Sequence, residues 1–180
     1  MPKLTIGTVL PPLMLQTLSG DSLALPGGGP ELIHLQFRRF AGCPICNTHL
    51  RGFMKRADDI TSAGIREVVF FHSSAEELHK HQTDLPFPVI PDPAKTHYRA
   101  FGVESSLTAM LHPKALWAAL QSVVRGKLGV NMENGPLGLP ADFLLSSTGK
   151  VLAVKYGAHA YDQWEVDELL ALAAKAKAVA

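Results

Sequence analysis

Apolar positions in the first half of the chain change from strand-like to helix-like spacing and back. Residues 31–37 are rich in β-formers and apolar at adjacent and alternating positions, as in a buried strand. From Cys43 onward, apolar residues recur at helical spacing up to Gly64, a residue that suits a helix C-terminus. Residues 65–71 again read as a strand. The pattern therefore predicts a βαβ unit with a right-handed parallel crossover.

The second half of the chain continues this alternation. The predicted elements are a helix capped by Ser73 or Ser74, a short strand at 87–90, a helix at 94–101, strands at 141–146 and 151–156, and a helix at 162–175. The turn sequence at 147–150 suits an antiparallel hairpin. The stretch from 104 to 138 is less regular, contains a predicted helix at 113–125, and is interpreted as an insertion.

This order of elements predicts an α/β, thioredoxin-like fold. We expect a central mixed β-sheet flanked by helices, with an N-terminal extension and a helical insertion before the final hairpin. The chain has 180 residues, of which 47% are apolar and 18% charged, so it can bury one substantial core. We therefore predict a single domain over residues 1–180, with the insertion at 104–138.

Charge and hydropathy exclude several classes of partner. The formal net charge is +1, and no Lys/Arg cluster is interleaved with aromatic residues, so we expect no nucleic acid partner. The apolar stretch 106–124 is interrupted by His112, Pro113 and Lys114, so we expect no membrane span. Residues 1–7 lack the charged start and apolar run of a secretory signal, which predicts a cytoplasmic location.

The two cysteines of the chain, Cys43 and Cys46, lie within one four-residue motif. That placement indicates a site rather than a disulfide scaffold. Three residues apart in the first turn of a helix, their sulfurs lie on the same side and within disulfide range. The unpaired N–H groups and positive end of a helix N-terminus favour a thiolate. We therefore predict a redox pair that closes an intramolecular disulfide on mild oxidation.

Three further residues are candidates for supporting roles. Pro44 suits the first helical position and stiffens the small ring. Arg39, on the loop that leads to the helix, is either a stabiliser of a sulfur anion or a solvated loop arginine. Pro140 precedes a predicted strand, where it is either a cis proline facing the disulfide or an ordinary trans proline. We predict the cis form.

Two alternatives to redox chemistry apply to the cysteine pair. The cysteines can act as small buried hydrophobes. Alternatively, Cys43, Cys46 and His49 have the spacing that begins some zinc sites, and a metal-binding or metallochaperone protein on the same fold is the second functional hypothesis. No second C-x-x-C or H-x3-H pair completes a zinc site, and we expect no metal or other cofactor.

A succession of motifs along nearly the whole chain resembles the alkyl-hydroperoxide-reductase/thiol-specific-antioxidant family, and within it the peroxiredoxin-like proteins that carry a CxxC. The matching pieces are 6–7, 18–20, 34–37, 40–46, 87–93, 100–103, 139–145 and 149–151. The resemblance implies a thiol–disulfide oxidoreductase or thiol-dependent peroxidase with an antioxidant role. It also implies a disulfide or hydroperoxide substrate, an external reductant of the thioredoxin, glutaredoxin or glutathione type, and Pro140 at the position of the fold's cis-proline. Oligomer formation stays open.

The chain departs from that family at two positions. When Cys46 is laid on the peroxidatic cysteine of the family's PxxxTxxC loop, Cys43 takes the threonine position and Arg39 the proline position. The arginine that the family places just before the strand is absent from 138–142. Without these donors a peroxide is less well activated at Cys46. We therefore expect Cys43 to be the thiol that attacks disulfide substrates and Cys46 to resolve.

Overall fold

The computed structural model describes residues 2–27, 32–82, 84–103 and 138–179. The strands in these ranges are β1 (Leu13–Gln16), β2 (Ser22–Leu25), β3 (Leu32–Arg38), β4 (Ile65–Phe71), β5 (Val89–Pro91), β6 (Ala141–Ser146) and β7 (Val151–Tyr156). The helices are α1 (Pro44–Lys55), α2 (Ala57–Ser62), α3 (Ala75–His81), α4 (Thr96–Ala100) and α5 (Val166–Val179). The expected helical insertion lies outside the described residues, apart from Gly138.

A five-stranded mixed sheet forms the centre of the fold, in the order β5-β4-β3-β6-β7. β3, β4 and β5 are parallel, whereas β6 lies antiparallel to β3 and to β7. All seven residues of the central strand β3 are buried, as its near-continuous apolar run predicts. The predicted strands at 65–71, 141–146 and 151–156 are confirmed at their predicted bounds. The thioredoxin-like α/β fold is confirmed with them.

The helix that follows the cysteine pair is shorter than its periodicity predicts. α1 ends at Lys55, and Arg56 leaves helical geometry with φ −118° and ψ 23° before α2 begins. The Arg56 N–H turns back to the Phe53 carbonyl at 3.2 Å, and its guanidinium contacts Asp59 at 2.8 Å. Gly64, with φ +67°, closes the whole segment in the left-handed conformation that glycine adopts without strain.

The N-terminal extension is part of the core. β1 and β2 form an antiparallel hairpin that the sequence analysis did not assign, and Leu15, Leu23 and Leu25 bury their side chains beneath it. The segment before β1 binds the final hairpin, where the Gly7 N–H donates to the Val151 carbonyl at 2.8 Å. Burying each leucine contributes about 1.5–3 kcal/mol, so the extension stabilises the fold.

Two apolar layers cover the two faces of the sheet. One contains Phe37, Phe70 and Phe143 and is closed by the hairpin and α4; the other lies under α1 and α5. Because side chains alternate along β3, the face below α1 also receives the polar residues His34, Gln36 and Arg38. None of the helices within the described ranges is long and apolar enough to cross a membrane.

Candidate redox site

Cys43 and Cys46 lie at the start of α1, just beyond the carboxyl end of β3. Cys43 is the N-cap, with φ −64° and ψ 113°, and Pro44 takes the first helical position as expected. The Cys43 N–H donates to the Phe40 carbonyl at 3.0 Å and so closes the loop before the helix. Both cysteines are free thiols with 0% exposure, packed against Phe40 and Ile45.

The two thiols have opposite electrostatic environments. A hydrogen bond from the Cys46 thiol, the charge of Arg39 and the backbone N–H groups of the first helical turn outweigh burial and lower the pKa of Cys43 to about 6. Burial and the neighbouring sulfur raise the pKa of Cys46 well above its usual value. At neutral pH, Cys43 is therefore the thiolate and Cys46 the thiol that donates to it.

The two adjacent arginines diverge. The Arg39 guanidinium stacks on the Phe40 ring at 5.4 Å and lies 3.8 Å from the Cys43 sulfur, so Arg39 lies at the site rather than in bulk solvent. Arg38 is the last residue of β3 and is fully buried beneath α1. Arg38 therefore contacts α1 through His49, whereas Arg39, one residue beyond the end of β3, contacts Cys43.

Pro140 is not in the predicted conformation. Within the described ranges the cis peptide bond is Leu25–Pro26, so Leu139–Pro140 is trans and the cis prediction is wrong. Trans is the favoured state of an X–Pro bond unless packing selects the other isomer. Pro140 instead packs against Gly157, whose N–H donates to the Pro140 carbonyl at 2.9 Å. Pro140 therefore fastens the loop after β7 to the start of β6.

Hydrogen bonds with Ser73, Gln82 and Tyr98 hold the loop between β3 and α1 in place. The Ala41 N–H donates to the Ser73 hydroxyl at 3.0 Å, and the Gln82 amide donates to the Ala41 carbonyl at 2.7 Å. Tyr98 donates to the carbonyl of Arg38, the last residue of β3. Ser73 was predicted only as a helix cap, and Gln82 and Tyr98 were not predicted at the site, because no local pattern marks a contact between residues so far apart.

A network of charged side chains lies buried between the sheet and α1. Asp142 contacts Arg38 at 2.7 Å and His34 at 3.3 Å, and His34 also contacts Glu67 at 2.9 Å. Burial lowers the pKa of His34, but the two carboxylates outweigh it and raise the pKa to about 9. Burial likewise opposes ionisation of Asp142, yet Arg38 and His34 hold its pKa well below the usual range. The network therefore pairs two cations with two carboxylates.

His49, the histidine of the zinc hypothesis, faces this network. Its Nε2 lies 3.3 Å from Arg38, and its Nδ1 lies 3.7 Å from Glu165. Burial and the nearby Arg38 charge lower the pKa of His49 to about 3, so the imidazole is neutral. Across the described ranges, no group of three His, Cys, Asp or Glu side chains is arranged to hold a metal ion. The geometry therefore assigns His49 to the packing beneath α1.

The family model described as AhpC/TSA antioxidant enzyme matches residues 52–159, more than half of the chain. The chain belongs to the AhpC/TSA antioxidant-enzyme family. Membership identifies it as a thiol-based oxidoreductase, in agreement with the geometry of the cysteine pair. The matched range begins after Cys46, so the roles of the individual cysteines rest on the site itself. No curated protein matches the chain.

Solved peroxiredoxin structures share the fold of this AhpC/TSA family member. Peroxidoxin BcpB from Mycobacterium tuberculosis superposes with a TM-score of 0.70 at 18% identity, covering 94% of this chain and 96% of its own. AhpC from the same organism gives 0.69 at 16% identity, covering 99% and 96%. Peroxiredoxin Q from Xanthomonas campestris gives 0.62 at 20% identity, covering 93% and 92%. At these identities the likeness establishes the fold.

Proposed function

We propose that Cys43 is the attacking thiolate of a two-electron redox cycle and that Cys46 resolves the oxidised sulfur. The observation that carries the proposal is the placement of Cys43 at the helix N-cap, 3.8 Å from the Arg39 guanidinium. A thiol with a pKa of about 6 is mostly ionised at neutral pH, and the thiolate is the nucleophilic form. Cys46 keeps its proton until Cys43 has been oxidised.

A small hydroperoxide is the oxidant that this site favours. Both sulfurs have 0% exposure, so a folded protein disulfide cannot approach them without opening the site. The Cys43 thiolate attacks the terminal oxygen of ROOH, the O–O bond breaks, and RO⁻ leaves and takes up a proton as ROH. Cys46 then attacks the Cys43 sulfenic acid, the S–S bond forms, and water leaves. Arg39 donates the hydrogen bond to the peroxide oxygens. In other members of the family a threonine and an arginine have this role.

Single-cysteine variants test the assignment of the two sulfurs. After one equivalent of hydrogen peroxide, Cys46→Ser is expected to give a long-lived sulfenic acid at Cys43 that dimedone traps. Cys43→Ser is expected to react slowly, because burial, the largest cause of the raised pKa of Cys46, persists in that variant. The unaltered chain is expected to lose two hydrogens by intact mass without forming a dimer. Fast sulfenic acid formation at Cys46 in Cys43→Ser would reverse the two roles.

The preferred oxidant is tested separately, by the rate at which the reduced pair disappears. Hydrogen peroxide is expected to react at least about tenfold faster than a folded protein that carries a disulfide. The oxidised form of a small dithiol reagent is expected to react at an intermediate rate. Equal rates for the peroxide and the protein disulfide would identify the chain as a disulfide exchanger that opens readily. The Cys43 assignment would be unaffected by that result.

The reductant we propose is an external thiol donor of the thioredoxin, glutaredoxin or glutathione type. Two electrons must reach the closed Cys43–Cys46 pair to restore both thiols. A cysteine pair that cycles in this way works in a reducing compartment, for which we propose the cytoplasm. The donor is identified by comparing the rates at which hydrogen peroxide is consumed with each reductant system at equal concentration. If no reductant system supports turnover, the proposed cycle is wrong. The same preparations, sized in solution, show the oligomeric state.

A further inference from the structure

Tyr98 connects α4 to the segment that carries the redox pair. Its buried side chain donates to the carbonyl of Arg38 and, at 2.9 Å, to the carbonyl of Phe70. These carbonyls lie at the carboxyl ends of the neighbouring parallel strands β3 and β4. A phenol has one proton, so the two carbonyls share it. The Tyr98 hydroxyl therefore holds the peptide unit at which β3 becomes the loop before α1.

The opposite edge of that peptide unit faces the redox pair. In a planar trans peptide the C=O and N–H point in opposite directions. With the Arg38 carbonyl directed at Tyr98, the Arg39 N–H is directed away from it, and a hydrogen bond from this N–H opposes the rise in the pKa of the Cys46 thiol. The Arg39 guanidinium lies 3.8 Å from the sulfur of Cys43. Arg39 therefore acts on the Cys46 thiol through its backbone N–H and on the Cys43 sulfur through its guanidinium.

Tyr98 is itself held rigidly. The buried carboxylate of Asp92 accepts from the N–H groups of Thr96 at 2.8 Å, His97 at 2.8 Å and Tyr98 at 3.3 Å, which fixes the start of α4. The Tyr98 ring packs edge-on against Phe37 at 5.1 Å. Because the ring and its helix are both anchored, the hydroxyl can orient the peptide rather than follow it.

We propose that Tyr98 is a positioning residue for the second half of the redox cycle: it orients the Arg38–Arg39 peptide so that the Arg39 N–H stabilises negative charge on the Cys46 sulfur. This inference rests on the proposed function, in which Cys43 is oxidised first. Cys46 then loses its proton and attacks Cys43, the S–O bond of the sulfenic acid breaks, and hydroxide leaves with a proton as water. A preorganised amide donor is most effective where charge develops in a buried site.

The test separates the two halves of the cycle in the full-length protein. Tyr98→Phe is pulsed with hydrogen peroxide, and the sulfenic acid at Cys43 is trapped with dimedone at increasing times. Closure of the disulfide is expected to slow about five- to tenfold, the effect of losing one hydrogen bond between neutral groups. The initial oxidation of Cys43 is expected to change less than about twofold. Arg39→Gln, which keeps its N–H, is expected to slow the initial oxidation instead.

Tyr156→Phe is the matched control. Its hydroxyl donates to the Phe101 carbonyl at 2.6 Å and accepts from the Leu4 N–H at 2.7 Å, at the edge of the same apolar layer. Both phenylalanine variants are expected to melt earlier than the unaltered protein, but only Tyr98→Phe slows closure. A Tyr98→Phe protein that is less stable yet closes its disulfide at the unaltered rate would overturn the proposal.

A second variant covers the case in which Tyr98→Phe does not fold. Asp92→Asn weakens the anchor of α4 and is expected to slow closure about twofold without slowing the oxidation of Cys43. Unaltered closure in Asp92→Asn would also contradict the positioning role. A reversed order of attack shows separately, as sulfenic acid at Cys46 in Cys43→Ser, so the two proposals fail by different results.

Discussion

His49 is a histidine whose burial forces it to stay neutral, which has a consequence for acid stability. Its folded pKa of about 3 lies below the ordinary value of 6.5, so below pH 6.5 the unfolded chain binds a proton that the folded chain does not. Stability is therefore lost as the pH falls from 6.5 towards 3, at up to about 1.4 kcal/mol per pH unit. His34, with a folded pKa of about 9, opposes this effect near pH 6.5, because the unfolded chain is then only partly protonated at that residue; below about pH 5.5 it is protonated in both states and adds no slope.

We expect His49→Gln to flatten this dependence between about pH 5.5 and 4.5, where most carboxylates are still ionised. Urea unfolding at several pH values measures it. His81→Gln, which removes an exposed imidazole from the end of α3, is the control and should leave the slope unchanged. An unaltered slope in His49→Gln would show that His49 takes up a proton in the folded protein.

Gly157 occupies a position where the chain passes too close to its neighbours for a side chain. A Cβ there would lie 2.5 Å from the Asp162 carbonyl oxygen and 2.8 Å from the Pro140 ring. Gly157→Ala is therefore expected to destabilise the protein by about 1–3 kcal/mol. Gly52→Ala, on α1 with nothing within 4 Å of its Cβ, should stabilise it by about 0.5–1 kcal/mol. Thermal unfolding measures the stability of both variants. A Gly157→Ala protein as stable as the unaltered one would show that the loop after β7 moves to accommodate the added methyl group.

At the scale of elements, Asp142 joins β6 to β3 and to the start of α5. Its carboxylate contacts Arg38 and His34 and accepts from the Trp164 N–H at 3.2 Å. Asp142→Asn leaves two buried cations with one carboxylate between them, and we expect a loss of about 3–5 kcal/mol. The control is Glu168→Gln, which removes a surface contact with Lys155 and should cost about 1 kcal/mol or less. Urea midpoints measure both, and similar values would show that the network is solvated.

At the scale of the whole molecule, the single-domain organisation stays a prediction. The N-terminal hairpin shares one apolar layer with β3, β4, β6 and α4, so we expect all of these to unfold together. Urea unfolding followed by tryptophan fluorescence and by far-ultraviolet circular dichroism is expected to give one coincident transition. Separate transitions would show that the extension or the 104–138 segment folds as a unit of its own.

The central part of the fold was predictable because its signals are local. The apolar runs of β4, β6 and β7 alternate with turn residues, so their bounds follow from the chain itself. The same holds for Cys43 and Cys46: three-residue spacing with a proline directly after the first cysteine predicts both sulfurs at a helix N-terminus. The hairpin β1–β2 was missed because its strands are only four residues long, too short for a periodic pattern to be distinct.

Long-range contacts decided the rest of the site. Arg38 lies 60 residues from Tyr98 and 104 from Asp142, and neither separation leaves a trace in local periodicity. Pro140 adopts the trans isomer that short-range preference favours, and the cis form, predicted from its place before a strand, is wrong. Local spacing in the chain is thus enough to predict a thiolate at the start of a helix. Which of the two sulfurs ionises depends on the folded structure, because Arg39, burial and the opposing thiol act through space.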